Sequence, residues 1–221
     1  MIGDLAHICN RGVDKRKIFN TQSDYRRFRD NLFLLNNEDG KIRTKHKNIF
    51  ELNINLPKRK KLVEVLKWTL MPNHFHLLLY EISEGGILEF TKRLGNAYTK
   101  YFNLKNNRRK GYLFQNRARI ISFQNERHFS YAPIYIDLNH LDLIKEDTKD
   151  KFQFLVDYEW SSLKNFYDTR YDDSTVDRGL FYRIFETDKI KYKKDLLDFI
   201  KNREDLEQQI IEYEEGVDLR G

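Results

Sequence analysis

The sequence predicts an α+β fold, an antiparallel sheet with helices packed on it, and three observations carry that expectation. Strand-like stretches recur at residues 3–12, 48–56, 62–81 and 111–123. Between and after them lie segments whose apolar residues recur at helical spacing. No internal repeat and no low-complexity linker interrupts this order, which is that of an α+β chain rather than a βαβ series.

Taken in order, "GDLAHICNRG" reads as a short strand ending at a glycine turn, and residues 24–37 as a helix. Residues 48–56 and 62–81 are strand-rich and are separated by the basic "PKRKK". "EGGILEFTKRLGNAYTKYFNLKNN" has a glycine-rich entry followed by apolar residues at helical spacing. "GYLFQNRARIISF" returns to alternation and is expected to be a strand. "ERHFSYAPIYIDLNHLDLI" is expected to be a helix, with Pro133 starting or kinking it. "DYEWSSLKNFY" reads as a loop leading into a shorter helix, and residues 189–218 as one amphipathic helix with a charged tail.

Composition narrows the function. At 221 residues with 40% hydrophobic and 33% charged, the chain can bury one sizeable core and stay well hydrated. No apolar run is long enough to span a bilayer, and "MIGDLAHICNRG" has no signal-peptide core. Cys9 is the single cysteine, which excludes an internal disulfide and points to the cytoplasm. A net charge of +6 and a pI near 9.2 favour an acidic partner, nucleic acid first. Residues 88–119 hold nine lysines and arginines, among them Lys92, Arg93, Arg117 and Arg119, against the single acid Glu89. Phe90, Tyr98, Tyr101, Tyr112 and Phe114 are interleaved with them. Cations for phosphates and aromatic faces for unpaired bases suit a single strand. The alternative is an amphipathic helix with an aromatic core face and solvated lysines.

No phosphate-binding glycine loop, cysteine zinc site or Gly-x-Ser-x-Gly elbow is present. What remains begins with "WTLMPNHFHLLLYE". On a strand, His74 and His76 share one face while Phe75, Leu77 and Leu79 take the other. Two imidazoles in an apolar run need satisfying, by a metal ion or by hydrogen bonds, and the spacing does not choose between these. In "YIDLNH", Tyr135 and Asn139 are four apart and share a helical face. Tyrosine is a possible nucleophile toward phosphorus and an asparagine carbonyl a neutral oxygen ligand. Beside the histidines they would complete a three-ligand divalent site. Tyr131 shares the same face, and core or surface roles account for most of the 13 tyrosines.

Several motifs resemble, in order, those of the single-tyrosine HUH transposases. "MPNHFHLLL" is similar to their His-hydrophobic-His signature, and "AHICNRGVDKRKIF" to their opening strand and Asn-Arg-Gly turn. "GYLFQNRARI", "YIDLNH" and "DYEWSSLKNFY" resemble their Gly-x-Leu-Phe-Gln-x-Arg, Tyr-Ile-x-Leu-Asn-Pro and Trp-Ser-Ser segments. The nearest group is the REP-associated tyrosine transposases, and the likeness runs from His7 to Tyr167. It implies a ferredoxin-like core with His74, His76 and Asn139 as ligands of Mg2+ or Mn2+ and Tyr135 as the nucleophile. It also implies cleavage and transfer of single-stranded or hairpin DNA through a 5′-phosphotyrosine, by a monomer or a homodimer. Arg11, Lys92, Arg93, Arg117 and Arg119 are then the expected DNA contacts. Three departures stand out: Asn139 is followed by His140 rather than proline, Pro133 lies two residues before Tyr135, and residues 36–61 look like an insertion. The expected organisation is a catalytic domain over residues 1–168 and a helical extension with an acidic tail over 169–221. A binder of structured single-stranded DNA or RNA that does not cleave is the alternative.

Overall fold

The computed structural model describes residues 1–40, 59–123, 125–145, 148–168 and 175–202. Strands β2 (Val63–Met71) and β3 (His74–Glu81) form a hairpin about Pro72 and Asn73. Strand β3 pairs on its other side with β1 (Leu5–Arg11), and β1 with β4 (Arg119–Ser122). All the pairings are antiparallel, and the order is β2–β3–β1–β4. Helix α1 (Gln22–Leu34) connects β1 to β2, and α2 (Gly86–Lys105) connects β3 to β4. The resulting β1-α1-β2-β3-α2-β4 sequence, with each crossover passing over one strand, is the ferredoxin-like α+β arrangement.

The period of two divides the sheet into two cores. Ile8, Trp68, Leu70, Phe75 and Leu77 point to the face covered by α1 and α2, where they meet Phe28, Leu32, Phe90 and Tyr98. Side chains of this size each contribute about 1.5–3 kcal/mol when fully buried. The other face is covered by α3 (Glu126–Leu138), and beyond it by α4 (Lys151–Asp157), α5 (Lys164–Tyr167), α6 (Arg178–Ile184) and α7 (Lys189–Lys201). Leu78 packs there with Ile136, Leu155, Phe166, Phe181 and Leu196. Helix α2 can start where it does because residue 86 is glycine: a Cβ there would lie 2.3 Å from the Leu62 carbonyl oxygen.

Four expectations are corrected by this structure. Helix α1 begins at Gln22, two residues early, because Asp24 closes its first turn by accepting from the Thr21 and Asn20 N–H groups. Pro133 does not begin α3, which starts at Glu126 and continues through it to Leu138. Burial of the eight residues Tyr131 to Leu138 outweighs the roughly 3 kcal/mol a mid-helix proline costs. The α-helix also stops at Leu138 rather than near residue 144, and Asn139–Leu143 continues as a 3-10 turn. The strand expected over 111–123 shrinks to four residues, with one isolated bridge from Phe114 to Gly12. Helices α4 and α6 have no counterpart among the elements expected from the sequence. The strand expected at 48–56, most of the 36–61 segment and the tail beyond residue 202 lie outside the described residues. Among the described residues, no helix is long and apolar enough to cross a membrane.

His140, which follows Asn139, is fully buried. Its Nε2–H donates to the Leu155 carbonyl at 3.1 Å, and its ring stacks on Tyr158 at 4.4 Å. The turn after α3 is therefore held by packing rather than by a fixed proline φ.

Candidate active site

The register of the sheet brings the histidines under α3. Arg11 stands opposite His74 and Cys9 opposite His76 on β1, while Arg119 stands opposite Cys9 on β4. Cross-strand partners project to the same face, so one patch of sheet collects two imidazoles and two arginines. Helix α3 lies over this patch and lowers Tyr135 onto it. The Tyr135 ring meets His76 edge-on, with centroids 5.4 Å apart. A cleft of about 120 Å³ results, lined by His74, His76 and Tyr135 together with Arg11, Arg117 and Arg119. Asn10, Gln115 and Asn116 also line it.

Hydrogen bonding around His74 fixes its chemistry. Its Nδ1 is 2.7 Å from Asn73 Oδ1, an acceptor, so Nδ1 carries the proton and donates. Burial, reinforced by the Arg11 charge and only partly opposed by Asn139, lowers the His74 pKa to about 4. The ring is therefore neutral near pH 7, and Nε2 presents a lone pair. Yet Nε2 is 2.9 Å from Asn139 Oδ1, another lone-pair donor. Two lone pairs face each other across a hydrogen-bonding distance. Either the Asn139 amide turns its N–H toward the ring, or a cation sits between the two atoms.

His76 repeats the pattern. Its Nδ1 is 2.9 Å from Nε2 of His7, a buried β1 histidine. Its own Nε2 is buried and has no hydrogen-bond partner among the described residues. Burial first, then the neighbouring charges of His74, His7 and Arg11, hold the His76 pKa well below its ordinary value. Burial likewise lowers that of His7 to about 3. Three neutral imidazoles thus lie together, and the His74 and His76 rings are 5.0 Å apart and perpendicular.

This donor set fits a divalent ion. Among the described residues no three His, Cys, Asp or Glu side chains gather to hold one. The donors at hand are instead His74 Nε2 beside the Asn139 amide oxygen, and the His76 Nε2 that has no hydrogen-bond partner among the described residues. Neighbouring ligands of an ion with bonds of about 2.1 Å stand about 3 Å apart in octahedral geometry, close to the 2.9 Å between His74 Nε2 and Asn139 Oδ1.

The remaining sequence-predicted residues divide. Arg11, Arg117 and Arg119 line the cleft. Lys92 lines a second, wider cleft of about 930 Å³ that shares Asn10, Gln115, Asn116 and Arg117 with the first. Lys100 and Tyr112, the latter 85% exposed, line that cleft too. Arg93 lines neither: it bonds the Glu89 carboxylate at 2.7 Å and the Asn37 carbonyl at 2.6 Å, bracing α2 against the chain end of α1. Its i,i+4 spacing from Glu89 was the signal that it had a local partner. Tyr131 packs against the Phe199 ring, 5.5 Å away, and does not line the cleft. Sequence reasoning missed His7 and Asn73. The alternation His7-x-Cys9-x-Arg11 put His7 on the Arg11 face, but nothing in it said that β1 would pair with β3.

No family model matches the sequence, and no curated protein matches it. Among solved structures, one of a REP-associated tyrosine transposase bound to a REP hairpin is similar to this chain at 13% identity. The superposition covers 80% of this chain and 93% of that one, with a TM-score of 0.47.

Proposed function

We propose that the protein is a metal-dependent nuclease and strand transferase acting on single-stranded, hairpin-bearing DNA, with Tyr135 as its nucleophile. One observation carries the reading: His74 and His76 from β3 and Tyr135 from α3 line a single cleft together with three arginines. The order of the sequence motifs supports it independently. His74 Nε2, His76 Nε2 and Asn139 Oδ1 would hold a divalent ion, Mn2+ or Mg2+. Bound there, the ion would polarise the scissile phosphate and make phosphorus a better electrophile.

The chain's own residues do the rest. Arg11, Arg117 and Arg119 neutralise the phosphates that flank the reacting one. Tyr135 gives its proton to solvent and bonds its oxygen to phosphorus. The bond from phosphorus to the 3′ oxygen breaks, that oxygen takes a proton as a free 3′ hydroxyl, and the 5′ phosphate stays on Tyr135. One phosphoester replaces another, so rejoining consumes no nucleotide, which agrees with the missing phosphate loop. The wider cleft beside Lys92, Lys100 and Tyr112 suits the strand leading to the site, with the exposed tyrosine as a stacking face.

The test is a covalent adduct. With Mn2+ and hairpin-bearing single strands, the wild-type protein should form a protein–DNA species that survives boiling in detergent. Tyr135→Phe should abolish it with little loss of DNA affinity, and Tyr131→Phe should retain it. His74→Ala should bind DNA yet form little adduct. No adduct on any hairpin with either metal would overturn the reading in favour of a binder that does not cleave.

A further inference from the structure

The metal site of the proposed function needs its histidines held in one tautomer, and the two are treated differently by their surroundings. For His74 the partner is Asn73 Oδ1, which can only accept, so the proton must be on Nδ1. For His76 the partner is an imidazole nitrogen, Nε2 of His7, 2.9 Å from Nδ1. That contact works in two ways. If His7 donates, His76 carries its own proton on Nε2, and a buried N–H faces the cleft with no acceptor. If His7 accepts, His76 carries the proton on Nδ1, and its Nε2 lone pair faces the cleft.

The second arrangement alone leaves His76 able to bind a cation. With a cation on Nε2 it also leaves no polar atom of His76 unpaired, whereas the first arrangement leaves a buried, unpaired donor at a cost of about 1–3 kcal/mol. The sheet register accounts for the contact itself: His7 lies two residues before Cys9, the cross-strand partner of His76, on the same face. Its ring meets that of His76 edge to edge, with centroids 5.1 Å apart and planes 27° from parallel, and lies 5.8 Å from Tyr135. One side chain thus touches a ligand and the nucleophile at once.

We infer that His7 is a positioning residue: its Nε2 accepts from His76 Nδ1–H and holds His76 with its Nε2 lone pair toward the metal site. His7 does for His76 what Asn73 does for His74. Outer partners of this kind orient metal-bound histidines and raise their basicity. The inference rests on the proposed metal site, so its test must separate the two.

Mn2+ titration followed by electron paramagnetic resonance reads affinity directly, without turnover. Wild-type protein should bind one Mn2+. His7→Leu, which removes the acceptor, should bind about 10- to 100-fold more weakly. His7→Gln, whose amide oxygen reaches the place of the imidazole Nε2, should recover most of that loss. If the wild type binds no Mn2+, the metal site and this inference fall together. If the wild type binds and His7→Leu binds equally well, only the inference falls. Equal weakness of both variants overturns it too, since acceptance of a hydrogen bond would not be what matters. Should His7→Leu not fold, the tautomer of the wild-type protein decides the matter. Long-range proton–nitrogen NMR spectra should show His76 protonated at Nδ1, and protonation at Nε2 would overturn the assignment.

Discussion

At the scale of the residue, a cation's role depends on what already neutralises it. Arg93 and Arg117 both belong to the basic 88–119 stretch, but Arg93 is bonded to a carboxylate and to backbone carbonyls, whereas Arg117 lines both clefts. Arg117→Gln should therefore weaken single-strand binding at every sequence. It should also flatten the plot of log affinity against log salt by about 0.7 for each phosphate that Arg117 neutralises. Arg93→Gln should leave that slope unchanged and lower the unfolding temperature instead. Fluorescence anisotropy over a salt series separates the two, and a flattened slope for Arg93→Gln would refute the distinction. The same lesson applies to the tyrosines. Tyr131 and Tyr135 share a helical face by their spacing, and only Tyr135 lines the cleft.

At the scale of the element, α1 depends on one carboxylate. Asp24 is buried, which by itself would raise its pKa, but several partners outweigh burial and hold it below the ordinary value of 3.8. Lys105 and the Tyr101 hydroxyl donate to one oxygen at 2.6 and 2.9 Å, and the N–H groups of Asn20 and Thr21 donate to the other. These bonds tie the start of α1 to the end of α2. Losing a helix cap costs about 0.5–2 kcal/mol, so Asp24→Ala should destabilise the fold by at least that much near neutral pH. Because the folded-state pKa is depressed, the ionised carboxylate's contribution is present above 3.8 and is lost as pH falls through the lower, folded value. The gap in urea-unfolding free energy between wild type and Asp24→Ala should accordingly narrow below about pH 3.8. A gap as large at pH 3 as at pH 7 would show that packing, not charge, explains the loss.

At the scale of the whole molecule, the helices after residue 168 take part in the second core. Phe181, Tyr192 and Leu196 are 0–3% exposed beneath the sheet. More telling is Lys67, a fully buried lysine on β2. Its Nζ donates to Asp137 on α3 at 2.6 Å, and the Tyr192 hydroxyl donates to the same carboxylate oxygen at 2.6 Å. The rings of Phe166, Tyr192 and Phe181 surround the ammonium at 3.5, 4.3 and 4.7 Å. Asp137 is two residues from Tyr135, so this cluster helps anchor the helix that carries the proposed nucleophile. A chain ending at Asp168 would lack two of the three rings and the Tyr192 hydroxyl. Losing the burial that these three large apolar side chains provide costs about 1.5–3 kcal/mol each, and the Lys67–Asp137 pair, though still present, would lose most of the cover that keeps it from water. Together these approach the roughly 5–15 kcal/mol that a domain of this size has in total. Residues 1–168 alone should thus show no cooperative unfolding transition by circular dichroism. A sharp transition near that of the full chain would refute this account.

The sequence by itself determined the fold class, the two faces of the sheet and the candidate residues of the site. Periodicity is local, and a period of two put His74 and His76 on one face while i,i+4 spacing aligned Tyr135 with Asn139. Element ends were less legible. Pro133 argued for a helix start that α3 places seven residues earlier, at Glu126, and the 3-10 turn after Leu138 depends on His140 finding Leu155 and Tyr158. Only the tertiary structure decided that β1 lies beside β3, which brought His7 to His76 and Arg11 to His74. It alone turned Arg93 away from the cleft, placed Tyr135 rather than Tyr131 in it and closed an aromatic cage around Lys67. Pairings of this kind join residues dozens of positions apart, and no local period encodes which strand or helix will arrive to meet them.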